Sequence, residues 1–148
     1  MSKQRKENSY KELIKGLIEK SFPELKGKKI FFFEIWMPKK YVAGVTGLGI
    51  YFVTINKDYS GTLGELKAVF AHELCHIITL GPRNILYWFN KKIRRDIERE
   101  TDKEAIRRGY ARGLYGFWKK NKRRYSKISQ YYLSPEEIRS YAKEIGKW

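Results

Sequence analysis

Apolar positions near the start of the chain follow a helical period. Four apolar residues recur three and four positions apart before Pro23 interrupts the pattern: Leu13, Ile14, Leu17 and Ile18. This spacing predicts an amphipathic helix over residues 9–21. Ser9 followed by Glu12 fits a capping box at the beginning of that helix.

The next two apolar runs have the composition of strands. Residues 28–36 are rich in Ile and Phe, and the stretch GIYFVTIN, residues 49–56, is β-branched and aromatic. Both are predicted to be buried strands, and residues 41–45 are expected to pair between or beside them. The short connections between these segments predict a small antiparallel or mixed sheet, and we expect it to be mostly antiparallel.

A second helical pattern comes after the turn-forming sequence NKDYSG. Thr62 and Glu65 fit another capping box, and apolar residues then recur at helical spacing until Gly81 and Pro82, which typically end a helix. This predicted helix carries the sequence HELCH, His72–His76, which contains both histidines of the chain.

Helical patterns continue through the second half of the chain, where charged residues are more frequent than in the first half. Apolar and small residues keep a helical period over residues 93–106. Three glycines interrupt the next segment: Gly109, Gly113 and Gly116. Residues 110–120 are therefore expected to be helical only in part. Ser134 followed by Pro135 and Glu137 predicts the start of a terminal helix.

The length of 148 residues suits one ordinary domain with a single core. Hydrophobic residues make up 42% of the chain, which is ample for that core and argues against global disorder. Helices combined with a small sheet predict an α+β fold. We place the domain in residues 1–118, followed by a basic C-terminal segment, residues 119–148, with a regulatory role as one hypothesis.

Several features favour a soluble, cytoplasmic protein with no membrane span. The single cysteine, Cys75, excludes an intrachain disulfide, so nothing requires an oxidising compartment. The first residues lack the apolar stretch of a secretory signal. The longest weakly polar run, residues 42–55, is too short to cross a bilayer, which needs about 20 apolar residues.

The chain is strongly basic. Lys and Arg number 32 against 16 Asp and Glu, a net charge of +16. The stretches KKIRR and KKNKRRY, residues 91–95 and 119–125, have the composition of phosphate-binding patches. A solvated, highly charged surface produces the same pattern. Nucleic-acid binding is therefore an alternative that is not favoured, and self-association stays open.

His72 and His76 have the spacing of metal ligands. Residues four apart lie on one face of a helix, so the two imidazoles can converge on one cation. Glu73 lies about 100° around the helix from His72. Its carboxylate could there take a proton from a water molecule on the metal without binding the metal itself. The alternative is that both histidines are ordinary, partly buried side chains.

A catalytic zinc site needs a third protein ligand and an open position for water. Because the chain has no third histidine, the ligand must be an Asp, a Glu or Cys75, for which core packing is the simpler role. Glu98 could bind the metal while Asp102, four residues later, accepts a hydrogen bond from a ligand imidazole. Glu100 and Glu104 form a competing pair, and all four carboxylates could instead belong to a solvated helix.

HELCH followed by ERETD, residues 98–102, resembles the gluzincin metallopeptidases, in which the first Glu of an ExxxD motif on a later helix completes the zinc site. The order of elements also resembles the minigluzincins, soluble archaeal single-domain peptidases that are similar to the catalytic domains of membrane-embedded CAAX prenyl proteases. The resemblance implies a zincin-like fold, with the sheet packed against the helices that carry the two motifs. It also implies a zinc-dependent endopeptidase with one catalytic zinc ion, Zn2+.

The resemblance implies a role for each matching residue. His72, His76 and Glu98 correspond to the zinc ligands, and Glu73 corresponds to the general base. Asp102 corresponds to the acid that hydrogen-bonds a ligand. These roles make a peptide or protein the expected substrate.

The resemblance also suggests where a substrate lies. The stretch of residues 49–56 corresponds to the edge strand along which a peptide is bound by strand addition. Tyr51, Val53 and Ile55 would then contact the substrate. At Thr101 the chain departs from the family pattern, which commonly has a small Ala before the Asp.

Two roles are left open by the sequence. A peptidase needs a donor for the developing oxyanion, and the candidates are Tyr87, Tyr110, Tyr115 and Arg108. Terminal segments can hold small peptidases of this family latent, so the amphipathic residues 136–145 could cover the site. The alternatives to a peptidase are a metal-binding protein without catalysis and a nucleic-acid-binding protein on a zincin-like scaffold.

Overall fold

The computed structural model describes residues 3–38, 41–79 and 84–148, without the side chains of residues 3–8 and 84–86. These residues form seven α-helices and one three-stranded sheet, so the predicted α+β class is confirmed. The chain divides after Ser60 into two compact units. None of the helices in the described ranges is long and apolar enough to cross a bilayer.

The first unit contains one long helix, a short 3-10 turn and the sheet. Their bounds are α1 Lys3–Ser21, the turn Pro23–Leu25, β1 Lys29–Ile35, β2 Ala43–Leu48 and β3 Ile50–Asn56. The predicted end of the first helix at Ser21 is confirmed. Because the helix begins at Lys3, Ser9 lies inside it, and the capping box predicted there is wrong.

The sheet is mixed, with strand order β1-β3-β2. β1 runs parallel to β3 and β2 runs antiparallel to it, so the prediction of a mostly antiparallel sheet is wrong. The assignment of residues 49–56 to an edge strand is also wrong, because β3 is the central strand and is paired on both sides. In the described part of the chain, the free edges belong to β1 and β2.

This position of β3 changes the predicted substrate contacts. Strand addition requires unpaired backbone groups, whereas Tyr51, Val53 and Ile55 are all paired with both neighbouring strands. The side chains of Val53 and Ile55 are also fully buried. These three residues therefore do not form a strand-addition site.

In the described part of the second unit, all regular elements are helices. Its helices are α2 Leu63–Thr79, α3 Asn84–Phe89, α4 Lys91–Arg107, α5 Ala111–Asn121, α6 Ser126–Ser129 and α7 Pro135–Glu144. The capping box at the start of α2 is confirmed, with bonds of 3.0 and 3.2 Å between Thr62 and Glu65. Ser134 and Glu137 form the box predicted for α7. The predicted stop of α2 at Gly81 and Pro82 lies outside the described residues.

The glycines of α5 allow a close helix crossing. The sequence predicts only partial helix over residues 110–120, but α5 is continuous through Gly113 and Gly116. A Cβ atom on Gly113 would lie 2.4 Å from the carbonyl oxygen of Gly64 and 2.6 Å from the Cβ of Ala68, both in α2. Close packing on α2 therefore outweighs the weak helix propensity of glycine.

Replacement of Gly113 by alanine is expected to lower the free energy of unfolding by about 1–3 kcal/mol, because the added methyl group overlaps the α2 backbone. Gly116→Ala is the matched control in the same helix. Its Cβ would lie 3.6 Å from a Glu65 oxygen, an ordinary contact, so it should gain up to about 1 kcal/mol from helix propensity. Denaturant unfolding followed by circular dichroism measures both. Equal stability of the two variants would contradict the close crossing.

The basic C-terminal segment belongs to the second unit. The predicted domain boundary after residue 118 falls inside α5. α7 packs on α4 and α5 and buries Ile138 and Ala142. Leu133, just before α7, is buried as well. Residues 119–148 thus contribute to the core of this unit.

Candidate metal centre

Three side chains from α2 and α4 converge in the second unit. α2 places His72 and His76 one turn apart, and α4 brings Glu98 opposite them. The Nε2 atoms of His72 and His76 lie 3.1 and 3.2 Å from the same oxygen, Oε2 of Glu98. The three residues are 6%, 5% and 1% exposed. This buried His-His-Glu group could bind a metal ion.

Asp102 fixes the orientation of the first histidine. Its Oδ1 atom lies 2.9 Å from Nδ1 of His72. A carboxylate only accepts hydrogen bonds, so Nδ1 carries the hydrogen and donates it. The Nε2 atom of His72 then faces Glu98 and is the ring nitrogen that would be available to a metal ion. This is the outer contact that a metal-binding histidine typically makes.

The distances fit a tetrahedral ion. With metal–ligand bonds of about 2.0–2.2 Å, ligand atoms around a tetrahedral zinc lie roughly 3.3–3.6 Å apart. The two measured separations, 3.1 and 3.2 Å, need only a small outward movement to reach that range. Two imidazole nitrogens and one carboxylate oxygen leave a fourth position for water or substrate.

The charges at the site favour a cation. Burial alone would raise the pKa of Glu98, but His76 and His72 beside it hold the pKa of this carboxyl well below its usual range. Burial alone would lower the pKa of His72, but hydrogen bonds with Asp102 and Glu98 raise it well above its usual value. Both shifts have the direction expected where a positive charge lies beside carboxylates. A bound metal ion supplies such a charge.

Glu73 is buried beside the three converging side chains but is separate from them. It follows His72 on α2 and is 9% exposed. Burial raises the pKa of its carboxyl, and the two histidines partly oppose that rise. A raised pKa makes the carboxylate a better proton acceptor near neutral pH.

Tyr87 of α3 completes the surroundings of Glu98. Its hydroxyl group donates a hydrogen bond to Oε1 of Glu98, which leaves Oε2 facing the histidines. Of the four candidate oxyanion donors, the structure brings Tyr87 to this site. Arg108 instead pairs with Glu104 at 2.8 Å, and the ring of Tyr115 packs against Trp148.

The competing carboxylates of α4 face away from the metal centre. Glu100 is about half exposed and pairs with Arg107 at 2.9 Å. Glu104 pairs with Arg107 at 3.0 Å. Cys75, the other candidate ligand, is fully buried and is not part of the converging group among the described residues.

A turn of the C-terminal segment, residues 119–148, lies against the site. The backbone N–H of Leu133 donates to Oδ2 of Asp102 at 2.9 Å. The ring of Tyr132 lies 5.5 Å from the imidazole of His72. Arg99 donates to the carbonyl oxygen of Tyr132 at 3.2 Å. The residues next to the metal centre are therefore 132 and 133, and not the predicted covering helix, residues 136–145.

The structure thus brings His72, His76 and Glu98 together, with Asp102 hydrogen-bonded to His72 and Glu73 nearby. Thr101 also takes part, because its hydroxyl oxygen lies 3.4 Å from Nδ1 of His76. Comparison with protein-family models, curated proteins and solved structures finds no match for the chain. Function is therefore inferred from the chemistry of the site.

Proposed function

We propose that the chain is a zinc-dependent metallopeptidase of the minigluzincin type. His72, His76 and Glu98 would hold the ion, and Glu73 would be the general base. The observation that carries this proposal is the convergence of two Nε2 atoms on one Glu98 oxygen, with a buried carboxylate directly after the first histidine. Two imidazoles and one carboxylate are a known ligand set of catalytic zinc.

The neighbouring base favours hydrolysis over oxidation. Two histidines and one carboxylate also bind iron(II) in oxygenases. Glu73 provides a proton acceptor, which hydrolysis by water requires. Zinc, when bound, supplies a Lewis acid that polarises a carbonyl and makes water more acidic.

The protein groups have distinct roles in this proposal. Glu73 takes a proton from the attacking water and delivers it to the leaving amine. Asp102 holds the His72 ring with Nε2 directed at the ion. Tyr87 engages Oε1 of Glu98, so that Oε2 is the atom offered to the metal. The buried surroundings strengthen each of these electrostatic interactions.

The C-terminal turn suggests that the full chain is latent. Tyr132 lies against His72, and Arg99 and Asp102 hold the turn by hydrogen bonds. Deletion of residues 120–148 would also remove core residues, including Leu133 and Ile138. A point substitution, Tyr132→Ala, therefore tests latency better than a truncation.

The proposed function is tested with zinc-loaded protein and a library of quenched fluorescent peptides. We expect cleavage that a chelator removes and added zinc restores, with faster cleavage by Tyr132→Ala if the turn limits access. Stoichiometric zinc without cleavage by either protein would favour a non-catalytic metal-binding protein. Failure to bind zinc would contradict the proposal.

A further inference from the structure

The ring nitrogen of His76 that does not face Glu98, Nδ1, contacts the side chain of Thr101. The Thr101 side chain is fully buried, one residue before Asp102 on α4. Its Oγ1 atom lies 3.4 Å from Nδ1 of His76, just as Asp102 lies beside Nδ1 of His72. A hydroxyl group can both donate and accept, so this distance alone does not place the hydrogen.

The other hydrogen bonds of Thr101 locate the hydrogen of its hydroxyl group. A hydroxyl has one hydrogen, and the shortest contact of the Thr101 hydroxyl is 2.8 Å, to the carbonyl oxygen of Ile97, which can only accept. The hydrogen of Thr101 is therefore used on Ile97, and its oxygen is left as an acceptor. The hydroxyl oxygen of Thr79 lies 3.2 Å from that of Thr101, and the single hydrogen of Thr79 is donated to the carbonyl oxygen of Cys75 at 3.0 Å. Nothing in this group competes for the Nδ1 hydrogen of His76.

We propose that Thr101 is a positioning residue that sets the tautomer of His76. By accepting a hydrogen bond from Nδ1, it would hold the ring hydrogen there when Nε2, which lies 3.2 Å from Oε2 of Glu98, binds a metal ion. With an apolar side chain at position 101, the buried ring would lose this partner. It could then take the tautomer with hydrogen on Nε2, which blocks metal binding.

This inference rests on the metal site of the proposed function and refines it. Position 101 is commonly alanine in the peptidases that this chain resembles, whereas here it is threonine. Its hydroxyl oxygen would accept a hydrogen bond from His76, as Asp102 accepts one from His72. A neutral acceptor fixes the ring without adding a second negative charge behind the metal ligands.

The test compares Thr101→Val, which keeps the shape and removes the acceptor, with Thr101→Ser, which keeps the acceptor. Zinc affinity is measured by competition with a chromophoric chelator. We expect binding to be about 10–100-fold weaker for Thr101→Val and within about threefold of wild type for Thr101→Ser. Thermal unfolding checks that both variants fold.

Each contrary outcome has a separate meaning. Unchanged zinc affinity in Thr101→Val would overturn the role of Thr101, as would a loss in Thr101→Ser equal to that in Thr101→Val. Wild-type protein that binds no zinc in the same titration would instead contradict the proposed function itself.

Discussion

Replacement of Glu73 by glutamine is expected to lower kcat/KM for peptide cleavage by about 10²–10⁴-fold, the usual contribution of a general base. Glutamine keeps the size and polarity of the side chain but cannot accept a proton from water at neutral pH. Zinc affinity should stay within about threefold of wild type, because Glu73 is not one of the three side chains that converge. The assay uses a cleaved peptide from the library together with a zinc titration.

A matched control separates this loss from a general effect of charge. Glu100→Gln makes the same chemical change on α4, where the side chain is half exposed and paired with Arg107. Cleavage by this variant should be unchanged. If Glu73→Gln still cleaves peptides within about threefold of the wild-type rate, Glu73 is not the base.

Replacement of Glu98 by glutamine is expected to weaken zinc binding by about 10²-fold or more. Loss of an outer hydrogen-bonding partner alone costs about 10–100-fold, and this change removes the charge of a ligand. Glu98 is 1% exposed, so the variant would place a neutral amide in a buried position next to the two histidines. Cleavage should be lost together with the zinc.

The alternative pair on α4 supplies the control for this prediction. Glu100→Gln and Glu104→Gln are expected to bind zinc as wild type does, since both residues pair with Arg107. A chelator competition with all three variants decides between the two pairs. Zinc binding by Glu98→Gln that equals the wild type would remove Glu98 from the site.

Local patterns were enough to predict the helix that carries the histidines. The capping box at Thr62 and Glu65 and the apolar period after it depend on neighbours within one turn, and both are present in α2. The same locality explains the correct start of α7 at Ser134. Such features depend little on the rest of the chain.

The sequence could not decide between the two carboxylate pairs of α4. Glu98 with Asp102 and Glu100 with Glu104 have identical spacing, so periodicity does not distinguish them. Packing does, because α4 turns Glu98 and Asp102 toward α2 and leaves Glu100 half exposed. That choice depends on contacts between residues that lie more than 20 positions apart.

Long-range contacts also explain the wrong predictions. The central position of β3 results from parallel pairing with β1, which the alternation of apolar residues does not encode. The turn beside His72 is held by Arg99 and Asp102, and no local motif marks residues 132 and 133. The contact between the Thr101 hydroxyl group and His76 joins two helices, and no local pattern marks it.

The central claim is that one zinc ion is held between α2 and α4 by His72, His76 and Glu98. An anomalous difference map at the zinc absorption edge, from crystals of zinc-loaded protein, tests it most directly. The account predicts one peak per chain, about 2.0–2.2 Å from Nε2 of each histidine and from Oε2 of Glu98. A map without a peak at these atoms, or with zinc bound only by other residues, would contradict it.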